Sequence, residues 1–324
     1  MAAANARQDT LTKPQGALGR LEEISIQLAG ITGHAVPRIG RKVVVVFAAD
    51  HGVTAEGVSA YPAEVTPQMV ANFAAGGAAI NVIARHVGAD VRVVDIGVGQ
   101  PTGNIARGPA MSRERAVECV QRGIAIAHEE IAAGATLLAT GDMGIGNTTA
   151  SSAIVAALTG HPVRQVTGRG TGLSDEQFAH KVAIIDQALA LNRPNRHDAL
   201  DVLAKVGGFE IAALAGLILG AASKRVPVLV DGFISAAGQL VAARLCPAAT
   251  SFTFAAHRSV EAGHQIVLNQ LGQLPLLSLE MRLGEGTGAA LAMSIVEAAA
   301  KILSDMATFA DAGVSEATEK ALPA

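Results

Sequence analysis

The fold is decided by the stretch Thr136-Leu137-Leu138-Ala139-Thr140-Gly141-Asp142-Met143-Gly144-Ile145-Gly146-Asn147-Thr148-Thr149, in which an apolar run leads through a glycine loop into an Ala-rich segment. This order is typical of a strand, a loop and a helix in an open parallel sheet, whose ligands bind at the carboxyl ends of the strands. Glycines let the backbone approach a ligand, and a helix N-terminus offers free N–H groups to an anion. The stretch predicts either a site for a phosphorylated small molecule or only a capped helix after a tight turn.

A second glycine loop, Arg282-Leu283-Gly284-Glu285-Gly286-Thr287-Gly288, places a carboxylate between two glycines. Charged residues make up only 16% of the chain, so this acidic side chain stands out. Glu285 either complements the positive end of a helix dipole or acts as a general base in an apolar pocket that adjusts its pKa. From its position alone both interpretations stay open.

Strands and helices alternate around these loops. Short apolar runs that end at glycine or acidic residues predict strands at Val43–Phe47, Val91–Ile96, Thr136–Thr140, Pro227–Val230 and Ser251–Ala255. Helical spacing of apolar residues predicts helices at Leu18–Leu28, Val65–His86, Arg113–Ala133, Thr148–Leu158 and Phe209–Leu219, and a helix capped by Ser174. This alternation predicts an α/β fold with a mostly parallel, doubly wound (Rossmann-like) sheet and helices on both faces.

The two chain ends lie outside the alternation. We expect residues 1–35 and 291–324 to form a small helical domain together, because chain termini often lie close to each other. Residues 36–290 then form the α/β catalytic domain. A length of 324 residues is sufficient for one large domain with a small companion.

Composition restricts the class of ligand. The formal net charge is −3 and aromatic residues make up 3%, with no Trp, which argues against nucleic-acid binding by phosphate contacts or by base stacking. The N-terminus lacks the pattern of a secretory signal, and charged residues interrupt the apolar runs before they are long enough to span a membrane. We therefore expect a cytoplasmic protein that does not bind a membrane. Cys119 and Cys246 are far apart in sequence, and we expect both to be buried, reduced core thiols.

Several polar residues follow the predicted strands. Asp50-His51, Asp231 and His257 each follow a strand, but they lack paired metal-ligand spacing, so we expect no metal and no cofactor. Lys181 lies on a predicted amphipathic helix, two turns after the loop Thr167-Gly168-Arg169-Gly170-Thr171-Gly172. It is either a solvated lysine or a point charge that reaches back toward a phosphate.

Several segments, in order along nearly the whole chain, together resemble the nicotinate-nucleotide–dimethylbenzimidazole phosphoribosyltransferase family of cobalamin nucleotide-loop synthesis. The matching segments are Lys13–Glu22, Ala49–Val53, the Asp142 loop, Thr167–Gly172, Val230–Phe233, His257–His264 and Arg282–Ala290. Two residues depart from the family pattern: Asp142 stands where the family usually has Glu, and Ala17 where it usually has Ser. The first change shortens a carboxylate side chain by one methylene.

The resemblance implies a reaction. A family member transfers the 5-phosphoribosyl group from nicotinate mononucleotide to 5,6-dimethylbenzimidazole with inversion, which gives α-ribazole 5′-phosphate and nicotinate. The pyridinium base of the donor is already a good leaving group, whereas the attacking azole becomes cationic and must lose its N–H proton to a base. The family's catalytic carboxylate falls on Glu285. The family is dimeric, so the resemblance also implies a homodimer.

The resemblance also implies which residues contact the substrates. Leu283 and the Tyr61–Met69 segment border the benzimidazole, and the glycine loops, Lys181 and the Ser259 loop contact phosphate and ribose. With the strand-end polar residues, the predicted substrate-binding set is Asp142, Gly144, Gly146, Asn147, Gly170, Thr171, Gly172, Lys181, Asp231, Ser259, Leu283 and Met69.

Two other functions stay open at this point. One is a related phosphoribosyltransferase or nucleosidase that acts on another base, for which activity with adenine but not with benzimidazoles would be diagnostic. The other is a non-catalytic protein that binds a nucleotide or an azole without releasing nicotinate. The position of the Glu285 carboxylate argues against the second function.

Overall fold

Five parallel strands form the sheet of this protein, whose computed structural model describes residues 1–170 and 172–315. The strands are β1 (Arg41–Ala49), β2 (Asp90–Gly97), β3 (Ala135–Met143), β4 (Val228–Val230) and β5 (Thr253–Ala255). Neighbouring strands pair in the order β2-β1-β3-β4-β5, and every pair is parallel. The predicted α/β class is confirmed.

Helices cover both sides of this sheet. In chain order they are α1 (Ala2–Thr10), α2 (Arg20–Thr32), α3 (Val65–Ala75), α4 (Ala79–Val87), α5 (Arg113–Ala132), α6 (Asn147–Thr159), α7 (Val163–Val166), α8 (Asp175–Asn192), α9 (Ala199–Val206), α10 (Phe209–Ser223), α11 (Phe233–Leu245), α12 (Ala262–Leu271), α13 (Thr287–Asp305) and α14 (Phe309–Ala312). Two 3-10 segments, Gly52–Glu56 and Pro247–Phe252, precede α3 and β5.

The central strand β1 shows why the sequence folds this way. Its residues 42–49 are all buried, since β1 has a neighbouring strand on each edge and helices on both faces. A continuous β-branched run such as Val43 to Val46 suits a strand without a solvent face. The apolar run therefore predicted both the strand and its place inside the sheet.

Three predicted elements have different bounds in the structure. Strand β3 continues past Thr140 to Met143, so Gly141 and Asp142 belong to the strand and the turn begins at Gly144. The single helix predicted over Val65–His86 is two helices, α3 and α4, because Gly76 adopts a left-handed φ of 77° and ends the first one. In the strand predicted at Ser251–Ala255, the first two residues belong to the 3-10 helix, and Thr253–Ala255 pairs with β4.

The strand order places a topological switch point between β1 and β3. From β1 the chain moves outward to β2, and it then returns to the other edge of β1 for β3, β4 and β5. Helices that follow neighbouring strands on either side of such a point leave a crevice at the carboxyl ends, where ligands bind. The ends of β1 and β3, at Ala49 and Met143, are therefore where a site is expected.

The chain divides into two compact units, Gly40–Met293 and the two ends Met1–Ile39 with Ser294–Ala324. Within the terminal unit, the Arg7 guanidinium donates to the Leu303 carbonyl at 2.6 Å, and Leu11 bridges to Thr308. The Lys13 ammonium lies 2.9 Å from the Glu22 carboxylate. The domain boundaries expected after residues 35 and 290 stay predictions.

The two cysteines differ in burial. Cys119 lies in the core, and burial raises the pKa of its thiol to about 11. Cys246 is exposed, so the expectation of a buried thiol was wrong there. It terminates α11 at the surface instead of lying on an apolar helix face.

One helix, α13, is long and apolar enough to cross a membrane by length and composition alone. In this structure 56% of its most apolar window is buried inside the protein, which is what a core helix also shows.

Helices α5 and α10 pack through glycines. A Cβ built on Gly123 would overlap the Ala213 carbonyl oxygen and lie 2.8 Å from the Leu217 nitrogen. A Cβ on Gly216 would in turn lie 3.0 Å from the Gly123 Cα. The two backbones are in contact at this point, so any side chain there forces the helices apart.

We therefore expect Gly123→Ala to lower the free energy of unfolding by about 1–3 kcal/mol, although alanine favours an isolated helix, because overpacking outweighs helix propensity. Gly108→Ala is the matched control, since a Cβ at Gly108 has no heavy atom within 4 Å. Urea denaturation of both variants measures the difference. Equal stability of Gly123→Ala and Gly108→Ala would contradict this close packing.

Candidate active site

A cavity of about 410 Å³ opens at the switch point. Its wall includes the end of β3, the turn that follows it and the loop before α13. The lining residues are Val58, Ser59, Tyr61, Asp142, Met143, Gly144, Ile145, Gly146, Asn147, Thr148, Gly170, Gly232, Phe233, Ile234, His257, Ser259, Glu261, Arg282, Leu283 and Gly284. Seven of the predicted substrate-binding residues line it together: Asp142, Gly144, Gly146, Asn147, Gly170, Ser259 and Leu283.

The turn from Gly144 to Gly146 forms one wall because neither glycine has room for a side chain. A Cβ on Gly144 would lie 2.6 Å from the Ala49 carbonyl oxygen at the end of β1, and Gly146 has a left-handed φ of 95°. Helix α6 starts directly after this turn, and the N–H groups of Asn147 and Thr149 donate to the Gly144 and Gly146 carbonyls at 3.1 and 3.0 Å. Backbone amides at a helix N-terminus favour an anion, which suits a phosphate at this wall.

A buried pair supports the turn from behind. The His51 Nε2 atom lies 2.7 Å from the Glu210 carboxylate, and both side chains are almost fully buried. A Cβ added to Gly144 would lie 3.3 Å from the His51 imidazole, and one added to Gly146 would lie 3.3 Å from the His51 Cβ. This pair fixes the turn from the side opposite the cavity.

Lys181 on α8 is fully buried, so it is not a solvated lysine. Its ammonium donates to the Thr148 hydroxyl at 2.7 Å and would lie 3.3 Å from a Cβ on Gly170. Both Thr148 and Gly170 line the cavity, so the charge lies directly behind that wall. Burial lowers the pKa of Lys181 to about 8, and the neighbouring Glu261 carboxylate opposes that shift.

Glu261 was not predicted as a site residue. It lines the cavity, and burial raises the pKa of its carboxyl while Lys181 opposes the rise. A signal for it existed in the sequence, since it is a charged residue between Val260 and Ala262 in a chain with few charges. Gly172 lines an adjacent cavity of about 480 Å³ together with Glu261, and Thr171 lies outside the described residues.

Glu285 does not itself line the cavity, but it follows Gly284, which does, and it is held by its backbone. It is 4% exposed and has a left-handed φ of 63°, which is rare for a residue with a side chain. Its N–H donates to the Asp142 carbonyl at 3.1 Å, and its carboxylate accepts from the Ile80 N–H at 3.2 Å. Burial raises the pKa of Glu285 above its ordinary value of 4.5, and Asp231 adds to the rise.

Asp142 contributes a second buried carboxylate. Its Oδ1 accepts from the Asn147 amide at 3.1 Å, and its Oδ2 has no hydrogen-bond partner. Burial raises the pKa of Asp142 well above its ordinary value, and the nearby carboxylates of Asp231 and Glu210 add to the rise. The shift favours the neutral form of this carboxyl group in the cavity wall.

The outer rim of the cavity is apolar. Leu283 is 58% exposed and Tyr61 is 54% exposed, and both line the cavity. Helix α3 reaches this region through Thr66, whose hydroxyl accepts from the Ile145 N–H at 3.1 Å. Met69 on the same helix is half-buried and does not line the cavity, so its contact with a substrate stays a prediction.

The remaining wall comes from the segments after β4 and β5. Ser259 lines the cavity, and its N–H donates to His264 Nδ1 at 3.0 Å. Burial lowers the pKa of His264 to about 3, so this imidazole is neutral and can accept that bond. Asp231 lies behind the wall, 3.6 Å from His257 Nε2, and its own side chain does not line the cavity.

Within residues 1–170 and 172–315 no group of three or more His, Cys, Asp or Glu side chains is placed to hold a metal ion.

Comparisons with known proteins agree with this geometry. The profile of a phosphoribosyltransferase family matches residues 1–314. The nicotinate-nucleotide–dimethylbenzimidazole phosphoribosyltransferase of Chloroflexus aggregans is 60% identical over 98% of this chain and 94% of its own length. The enzyme of the same name from Geobacter sulfurreducens is 57% identical over the same shares.

Solved structures give the same result. The crystal structure of CobT from Thermus thermophilus superimposes with a TM-score of 0.94 at 49% identity, covering 98% of this chain and 99% of that one. The matches to the family profile, to the curated relatives and to the solved structure each span nearly the full chain. The chain therefore belongs to the nicotinate-nucleotide–dimethylbenzimidazole phosphoribosyltransferase family, as its motifs predicted.

Proposed function

We propose that this protein transfers the 5-phosphoribosyl group of nicotinate mononucleotide to 5,6-dimethylbenzimidazole with inversion, yielding α-ribazole 5′-phosphate and nicotinate for cobalamin nucleotide-loop synthesis. The observation that carries the proposal is the buried Glu285 carboxylate next to a cavity that is also lined by glycine backbone and a helix N-terminus. Such a site offers an anion cradle and a base, which are the two groups this reaction requires.

The phosphate of the donor belongs at the wall made by Gly144, Gly146 and Gly170. The amides at the start of α6 favour an anion, and the Lys181 ammonium lies behind that wall as a compact positive charge. Asn147 and Ser259 supply further polar groups for the phosphate and ribose. These assignments extend the anion site that the sequence predicts.

The azole belongs at the apolar rim, near Leu283 and Tyr61, within reach of Glu285. Attack on the anomeric carbon forms a bond from one azole nitrogen while the bond to nicotinate breaks. The pyridinium electron pair leaves with nicotinate, and the azole N–H proton passes to the Glu285 carboxylate. The raised pKa of Glu285 makes this carboxylate a stronger base than an exposed glutamate.

We also propose that the protein is a cytoplasmic homodimer. The dimer follows from the family resemblance, and it would cover large apolar side chains that are exposed in one chain: Val260, Leu274, Leu279 and Leu283. Size-exclusion chromatography with light scattering measures the oligomeric state directly.

Incubation with nicotinate mononucleotide and 5,6-dimethylbenzimidazole, followed by mass analysis of the products, tests the proposed reaction. We expect equal amounts of α-ribazole 5′-phosphate and nicotinate. Nucleotide formation with adenine but not with benzimidazoles would favour a transferase for another base, and binding without nicotinate release would favour a non-catalytic protein.

Glu285→Gln is expected to lower kcat by about 10²–10⁴, because it preserves the side-chain shape and removes the proton acceptor. The KM for nicotinate mononucleotide should change little. Glu114→Gln, the same change at an exposed glutamate at the start of α5, is the matched control and should leave kcat unchanged. A kcat of Glu285→Gln close to the parent value would refute the assignment of the base.

The pH dependence of kcat/KM follows from the same carboxylate. The base must be deprotonated to act, so activity should fall as pH falls through the raised pKa of Glu285, at a higher pH than an ordinary glutamate would produce. Glu285→Gln should lack this acid limb. An identical acid limb in Glu285→Gln would mean that another group is titrating.

Lys181→Met is expected to raise the KM for nicotinate mononucleotide by about tenfold to a hundredfold, the usual loss for one hydrogen bond to a charged group. The parent KM should itself rise as pH passes about 8, since Lys181 then loses its proton, and the variant should lack this rise. Steady-state kinetics on both sides of that pH measure both effects.

Two controls belong with this experiment. Lys205→Met alters a lysine on α9 that pairs with Asp201, outside the cavity wall, and should leave the KM unchanged. Nicotinate riboside, which has no phosphate, should be used equally by the parent and Lys181→Met. Equal losses with and without the phosphate would show that Lys181 acts only on the fold.

A further inference from the structure

Asp231 is buried behind the cavity, where its Oδ1 atom accepts from backbone and lies near His257, and its Oδ2 atom has no hydrogen-bond partner. It follows β4, is 1% exposed and does not line the cavity. Its Oδ1 atom accepts from the Ala289 N–H at 2.8 Å, and the Gly286 amide also interacts with the carboxylate. Both amides belong to the residues immediately after Glu285, where α13 begins.

The backbone at Glu285 needs such support. A φ of 63° is strained for a residue with a Cβ and persists only where the surroundings fix it. On one side the Glu285 N–H is fixed by the Asp142 carbonyl at 3.1 Å. On the other side, Gly286 lies so close to β3 that a Cβ there would be 2.9 Å from the Thr140 carbonyl oxygen.

Asp231 connects these parts. Its own N–H donates to the Thr140 hydroxyl of β3 at 3.0 Å, and its side chain binds the start of α13. Asp231 therefore binds both β3, which accepts a hydrogen bond from the Glu285 N–H, and α13, which begins just after Glu285. Removal of the carboxylate frees the helix start from the strand while leaving the phosphate wall untouched.

We propose that Asp231 is a positioning residue, which fixes the backbone around Glu285 so that the Glu285 carboxylate meets the azole N–H. This inference rests on the proposed function, in which Glu285 is the base. It assigns Asp231 a part in the proton-transfer step and no contact with substrate.

Charged and titratable groups around Glu285 come from four parts of the chain. Asp142 faces it from β3 and Asp231 from the segment after β4, and His257 lies 3.6 Å from Asp231. Glu210 on α10 acts on Asp142, and α4 contributes the uncharged Ile80 amide. Removal of the Asp231 charge therefore takes away the carboxylate that raises the pKa of Glu285.

A double-mutant cycle tests the proposal with Asp231→Ala, Glu285→Gln and the double variant. In the parent background Asp231→Ala should lower kcat about a hundredfold, the usual loss from a small displacement of a reacting group, with the KM for nicotinate mononucleotide within about threefold. In the Glu285→Gln background the same change should lower kcat less than about threefold, because there is no base left to position.

Asp231→Asn separates charge from hydrogen bonding and covers the case in which Asp231→Ala does not fold. The asparagine oxygen can still accept from Ala289, so kcat should stay within about tenfold of the parent. Loss of a negative charge beside Glu285 should move the acid limb of kcat/KM to lower pH. Glu130→Gln, a buried carboxylate paired with Arg41 and Arg92, is the control and should move neither kcat nor the acid limb.

The outcomes separate this inference from the proposed function. If Glu285→Gln retains parent turnover, the assignment of the base fails, and the positioning role fails with it. If Glu285→Gln lowers kcat as expected but Asp231→Ala lowers kcat about a hundredfold in both backgrounds, only the positioning role is overturned. An acid limb of Asp231→Asn that coincides with that of the parent also overturns it.

Discussion

The site depends on how closely the backbone of the Glu285 loop approaches strand β3. A Cβ on Gly141 would lie 2.6 Å from the Glu285 carbonyl oxygen, and one on Gly286 would lie 2.5 Å from a methyl group of Val44. Only glycine fits at these two positions. The contact fixes Glu285 at the carboxyl ends of the central strands, where the sheet order also opens a crevice.

Burial has opposite electrostatic effects on the two parts of the site. It raises the pKa of the Glu285 carboxyl, so the carboxylate becomes a better proton acceptor, and it lowers the pKa of Lys181 to about 8, so the ammonium becomes easier to neutralise. A phosphate bound at the wall beside Lys181 would favour the charged ammonium again. Burial therefore makes Glu285 a stronger base, and it makes the charged state of Lys181 depend on whether a phosphate is bound.

Much of the fold was readable from local pattern, because parallel central strands require continuous apolar runs. Val43 to Phe47 therefore predicted a buried strand, and the Ser174 cap predicted the start of α8, whose capping box forms with Gln177. The break after Gly76 was missed because apolar spacing continues on both sides of it. The exposure of Cys246 was missed because it depends on where α11 ends at the surface.

The site was only partly predictable for a related reason. Glycine loops and Glu285 are visible as local motifs, and most of the predicted set lines one cavity. Burial of Lys181 and the backbone contact of Asp231 depend on segments that are distant in sequence, so no local pattern encodes them. Glu261, which lies near Lys181, was missed although it is a charged residue between two apolar ones, because its neighbour Lys181 is distant in sequence.

The most direct test of the assignment of Glu285 is a crystal structure of the protein with 5,6-dimethylbenzimidazole bound. We expect one azole nitrogen within hydrogen-bond distance of the Glu285 carboxylate, about 2.6–3.2 Å, with the other nitrogen facing the cavity wall of Gly144 and Gly146. An azole bound with both nitrogens away from Glu285, or with its N–H on Asp142, would contradict the assignment of Glu285 as the base.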